Sequence, residues 1–143
     1  MRLDAFLLAD AASTPPDGKF YVHGGGLSRF VVPMLPFPLG VAVFIRFEVV
    51  DDDLRHAHDF RVSVTGPVGP NIAPLHFRAE AVHDPPPILE GEERYLHIAL
   101  NLPLAIVRTG TYRLDLHVDD TLVRSQNVPL VLEGGGVDWM PST

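Results

Sequence analysis

The strict alternation from Gly110 to Asp120 constrains this chain more than any other stretch. Tyr112, Leu114, Leu116 and Val118 fall on one side, and Thr111, Arg113, Asp115 and His117 on the other. A period of two belongs to a half-buried β-strand, because successive side chains of a strand point to opposite faces. Gly110 opens this strand and Asp119-Asp120 turns it. The same period recurs along the chain. Val41, Val43, Ile45, Phe47 and Val49 form one side of the longest apolar run, with Ala42, Phe44, Arg46 and Glu48 on the other. Both sides are apolar at first, as in a central strand emerging at a sheet end. Phe60, Val62 and Val64 alternate, then Leu75, Phe77 and Ala79, then Leu96, Ile98, Leu100 and Leu102.

Turn signals separate these runs. Ser13-Thr-Pro-Pro-Asp-Gly18 and Gly66-Pro-Val-Gly-Pro70 carry the residues that tight turns select. Gly24-Gly-Gly26 interrupts a strand pattern and predicts a bulge or bend. Pro33-Met-Leu-Pro-Phe-Pro38 reads as an extended crossover. Asp51 to His58 reads as a charged loop, and Leu102 to Val107 could hold a helical turn. The expected fold is all-β: a single antiparallel β-sandwich, Ig-like or Greek-key, of about eight strands. A closed β-barrel is the alternative. Residues 1–132 form the expected domain, and 133–143 a Gly-rich tail.

Composition enters where it removes chemistry. The 143 residues contain no Cys, which excludes disulfides, thiolate catalysis and Cys-based metal sites. The net charge of −7 repels phosphate backbones and anionic lipid, so neither nucleic acid nor membrane is an expected partner. The N-terminal apolar run, Ala5 to Ala9, is too short and too acidic for a signal peptide, so the expected location is cytoplasmic.

His56 and His58, beside Asp51-Asp-Asp53 and Asp59, have the densest ligand-like spacing. His56, His58 and Asp59 are therefore the metal candidates, against the alternative of a solvated loop that blunts a strand end. His97 and His117 both point outward and would be close if their strands were neighbours. Glu90, Glu92 and Glu93 share a loop without evidence of a cleft. No serine lies in a G-x-S-x-G turn, and no Gly-Lys-Ser/Thr follows the glycine triplet. No catalytic residue and no cofactor are assigned. Tyr112, after Gly110 at a strand start, fits a tyrosine corner, whose hydroxyl bonds back to the preceding loop.

The segments Leu3-Asp-Ala-Phe-Leu-Leu-Ala-Asp10, Gly18-Lys-Phe-Tyr-Val-His-Gly-Gly25, Pro36-Phe-Pro38, Gly110-Thr-Tyr-Arg-Leu114, Val118-Asp119 and Pro129-Leu-Val131 resemble an uncharacterised family of small bacterial proteins, known as a domain of unknown function. The likeness runs to about Leu132. It implies a compact β-sandwich with no assigned activity, and it carries over no functional residues.

The leading expectation is a non-enzymatic module that acts by contact, with a protein partner or with copies of itself. Phe6, Leu8, Val31 and Phe44 would be apolar on the side opposite the main core, a second surface that needs a partner. Trp139 and Met140 in the tail join Phe6 and Phe44 as candidate contact residues. A small-ligand or carbohydrate-binding module is the alternative. A metal-dependent enzyme using the His56/His58 loop ranks last.

Overall fold

A computed structural model describes residues 1–134. Its strands, in chain order, are β1 (Arg2–Ala9), β2 (Ala11–Ser13), β3 (Tyr21–His23), β4 (Phe30–Val32), β5 (Phe37–Val49), β6 (His58–Gly66), β7 (Gly69–Pro70), β8 (Leu75–Ala79), β9 (Arg94–Ile106), β10 (Gly110–Val118) and β11 (Thr121–Leu132). One helical turn, α1 (Asp51–Leu54), joins β5 to β6. No helix among the described residues is long and apolar enough to cross a membrane.

The expectation of an all-β chain holds, but its detail changes. The strands form three sheets: β1-β5-β9; β4-β11-β10-β6-β7, with β8 also on β6; and the small pair β2-β3. The pairing is not wholly antiparallel, because β4 runs parallel to β11, with Phe30 opposite Leu130. The two larger sheets share one core. Val43, Ile45 and Phe47 of β5 join Leu102, Leu104 and Ile106 of β9 and Val62, Leu114, Leu116 and Val128 of the larger sheet. Phe47 and Phe60 bridge the two sheets with ring centroids 5.7 Å apart, and Phe60 stacks on Phe77 at 4.9 Å.

Three departures from the alternation have physical causes. Asp4 is an extra residue in β1: Leu3 pairs with Phe47, but Ala5 pairs with Arg46. Beyond this bulge the strand faces the other way, since one residue of slip exchanges the faces. Phe6 and Leu8 therefore lie in the main core, not on a second surface. Residues 102–107 form no helical turn; β9 runs to Ile106 with Leu102, Leu104 and Ile106 buried. Pro103 is tolerated because β9 is the outermost strand of its sheet. The expected loop at Asp51 opens as α1 instead. Asp51, Asp52 and Asp53 occupy its first turn, where carboxylates are favoured, and Asp53 Oδ2 accepts the Val50 N–H at 2.9 Å.

The sheet edges carry their own closures. Asn71 works as a one-residue strand: its Nδ2 donates to the Ala105 carbonyl at 2.8 Å and its Oδ1 accepts the Ala105 N–H at 3.2 Å. This ties the loop after β7 to the outer edge of β9. On the opposite side, the N–H groups of Gly26 and Leu27 both donate to the Leu8 carbonyl, at 3.0 and 3.1 Å. The glycine triplet thus wraps the end of β1. Gly24 there has φ +62, a left-handed conformation that favours glycine, and an added Cβ would displace the Asp10 carboxylate, 2.1 Å from it.

Tyr112 forms the expected corner. Its ring is buried, and its hydroxyl donates to the Arg108 carbonyl at 2.8 Å. The ring packs so closely on Gly66 that an added Cβ would lie 2.8 Å from Cε1. Asp115, expected outward, is buried; it accepts Ser125 Oγ at 2.6 Å and Arg113 Nε at 3.0 Å.

Tyr112→Phe leaves the Arg108 carbonyl without this donor and should cost about 1 kcal/mol in urea denaturation. Gly66→Ala should cost more than Tyr112→Phe, because the ring must move as a whole. Asn71→Ala strips the edge of β9 of two bonds and should cost about 1–3 kcal/mol in the same measurement. Asn71→Ala matching wild type would show that the edge needs no closure.

Candidate functional site

Phe44 dictates the site. It points away from the main core, yet it is only 1 % exposed. Burying such a ring contributes about 1.5–3 kcal/mol, so the outer face of β5 requires a cover. The cover is this chain itself. The segment linking β2 to β3 lays Phe20 on Phe44, with centroids 4.5 Å apart and planes at 25°. The expectation that Phe44 awaits a second subunit is therefore corrected: the turn after Pro15-Pro16 brings its partner from within the chain. Val31, by contrast, is exposed.

Antiparallel register aligns the rest. Arg46 lies opposite His97 and Glu48 opposite Tyr95. Phe20 meets His97 edge-on at 4.9 Å, and the Tyr95 and His97 rings run parallel with centroids 6.3 Å apart. The Arg46 guanidinium carbon sits 3.6 Å from the centre of the Tyr95 ring, and Arg46 Nε lies 3.5 Å from Asp4, the bulge residue of β1. The Tyr95 hydroxyl donates to Glu93. Between this face and the β2–β3 turn lies a cleft of about 430 Å³. Thr14, Pro16 and Lys19 line one side, and Glu93, Tyr95 and His97 the other. Asp17 Oδ1 accepts the Lys19 N–H at 2.9 Å and fixes the turn that presents the chain's single lysine.

His97 is held neutral. Burial disfavours its charged form, and the nearby Arg46 cation adds to the effect, so its pKa lies below the ordinary imidazole value. Its Nε2 is buried and has no hydrogen-bond partner among the described residues. Chemically, the cleft offers one phenol ring, one imidazole, one ammonium and one carboxylate. Glu93 accepts from the Tyr95 phenol, and no carboxylate bonds His97 among the described residues.

The residues singled out by spacing are dispersed. His97 lies in the three-stranded sheet and His117 in the six-stranded one, so they are not neighbours. His56 Nδ1 donates to the Asp52 carbonyl at 2.8 Å, His58 to Asp119 and the Asp53 carbonyl, and Asp59 meets Arg78 at 3.4 Å. Among the described residues no three His, Asp or Glu side chains are grouped to hold a metal. Trp139 and Met140 lie outside the described residues. The sequence pattern did not point to Phe20, Arg46 or Tyr95 as site residues, and Glu93, expected in a loop without a cleft, lines one. One signal was present: Phe44, apolar on the polar side of its strand, required a partner.

The depressed His97 pKa has a stability consequence. A base whose folded pKa lies below its unfolded value resists protonation in the native state. Its stabilisation is present above the unfolded value, about 6.5, and is lost as pH falls towards the folded pKa. Arg46→Gln should raise the His97 pKa in an NMR titration; an unchanged pKa would leave burial as the sole cause.

No curated protein matches this chain. The family of unknown function DUF6941 matches residues 4–131, a span that takes in Phe20, Phe44, Arg46, Tyr95 and His97 together with both large sheets. The chain belongs to that family.

Proposed function

We propose that this chain is a non-catalytic, cytoplasmic binding module that holds a small polar ligand in the cleft between the β2–β3 turn and β9. One observation carries the reading: two separate elements, the β2–β3 turn and the start of β9, converge on one cleft whose Tyr95 and His97 rings are flanked by Lys19 and Glu93. At about 430 Å³ the cleft falls within the range of small-molecule sites. The Arg46 guanidinium and the Phe44 ring fix the floor from beneath, so little ordering remains to oppose binding. Lys19 and Glu93 oppose each other in charge, which suits a neutral hydroxylated or zwitterionic ligand better than a polyanion. The sheets act as the rigid layers of a sandwich-like scaffold, and loops carry the rim.

The sheet edges disfavour self-assembly by strand pairing. β1 has its bulge at Asp4, β9 has Pro103 and the Asn71 clamp, and β11 has a register shift beside Val123 and a proline at 129. Each device discourages edge-to-edge pairing. A contact role for another face has one observation in its favour. Pro36, Phe37, Pro38, Pro103, Ile106 and Val107 line an apolar groove of about 350 Å³.

NMR titration with a panel of neutral saccharides, amino acids and dicarboxylates tests the leading reading. Shifts should cluster at Lys19, Glu93, Tyr95 and His97, and Tyr95→Ala should weaken binding at least tenfold without unfolding the protein. Shifts confined to the groove at Val107, or mass that grows with concentration in light scattering, would favour the contact reading.

A further inference from the structure

A second charged constellation gathers around His58, none of whose members lines the cleft. His58 opens β6 and sits between two acceptors. Its Nδ1 lies 2.8 Å from Asp119 Oδ2 and its Nε2 lies 2.7 Å from the Asp53 carbonyl. A carbonyl and an ionised carboxylate can only accept, so both ring nitrogens must carry protons. The geometry is satisfied by imidazolium alone.

Each acceptor belongs to a different element. Asp53 belongs to α1, and its carboxylate also takes the Val50 N–H and the Met1 amine. Asp119 lies in the β10–β11 turn, where Asp119 and Asp120 both have positive φ, 49 and 65. Non-glycine residues hold that conformation at a cost unless their surroundings fix them. Here Asp119 Oδ1 accepts the Asp59 N–H at 2.9 Å while Oδ2 receives His58. The other charges around this knot are Asp59, Arg78 at 3.4 Å from it, and Glu80 at 3.3 Å from Arg78.

We infer that His58 is a pH-sensitive latch that fastens α1 and the β10–β11 turn to the start of β6 while it is protonated and frees them when it loses that proton. Losing one proton breaks one of the two bonds outright, since a bare ring nitrogen cannot face a carbonyl or a carboxylate favourably. Burial by itself lowers the pKa of His58, but the bonds to Asp119 and to the Asp53 carbonyl outweigh it, and the net shift is upward. Asp119 is shifted downward, by His58 first and the Asp59 N–H next. The signs then fix the window. A raised His58 contributes its full stabilisation below its unfolded value of about 6.5 and loses it as pH rises through the folded pKa. A lowered Asp119 contributes above the ordinary carboxylate value of about 3.9 and loses its share as pH falls through the lowered pKa. The latch is fastened between these limits and opens on the alkaline side, as pH rises through the raised pKa of His58.

The test uses the full chain. In wild type, ¹⁵N shifts of the His58 ring should report both nitrogens protonated at pH 6 and a titration midpoint above about 6.5. Amide exchange, corrected for its intrinsic pH dependence, should show protection at Asp59 falling about tenfold between pH 6 and pH 9, with no matching change at Val43 in the middle of β5. His58→Gln removes the titration, so its deficit in melting temperature should shrink as pH rises. A neutral His58 ring at pH 6, or Asp59 protection that does not change between the two pH values, would overturn the latch even if the variant failed to fold.

Discussion

Removal of both faces of β5 from water is the constraint on which the structure rests. The inner face, Val41, Val43, Ile45, Phe47 and Val49, is the centre of the core that joins the two large sheets. Its outer face carries Ala42 and Phe44, both about 1 % exposed. Hydrophobic burial is non-directional and proportional to area, so a strand that is apolar on both sides must be sandwiched. One side is met by the six-stranded sheet. The other is met by a short pair of strands and one ring, Phe20, which closes over Phe44. Beside this cover, Tyr95 and His97 of β9 line an opening, the cleft. The candidate site thus lies at the border of a face that had to be covered.

Polar groups decide what the apolar layers leave open. The Asn71 side chain satisfies both backbone groups of Ala105, where β9 has no further strand beside it. The bulge at Asp4 turns Phe6 and Leu8 into the core, and it also delivers the carboxylate that pairs with Arg46. A single extra residue therefore contributes to the core and to the charge balance of the site.

The two sites treat histidine in opposite ways. His97 lies among rings and beside a cation, so its neutral form is favoured. His58 lies between a carboxylate and a carbonyl, so its charged form is favoured. The same side chain is an apolar wall in one place and a cationic fastener in the other. Local dielectric and partner charge make the difference.

The sequence determined the period of each strand, the turns between strands and the corner at Tyr112, because those depend on residues within a few positions of one another. The alternation from Tyr112 to Val118 is visible in the chain and holds in space. The sequence also ruled out thiol chemistry. Only the tertiary structure decided which strands pair, which placed His97 and His117 in different sheets. It decided that a bulge at Asp4 reverses the faces of Phe6 and Leu8, that Phe20 covers Phe44, and that His58 meets Asp119 sixty-one residues away. The physical reason is common to all of these. Periodicity reports how one strand meets a generic dry layer, whereas register, bulges and long-range polar pairs depend on which layer arrives, and no local pattern encodes that.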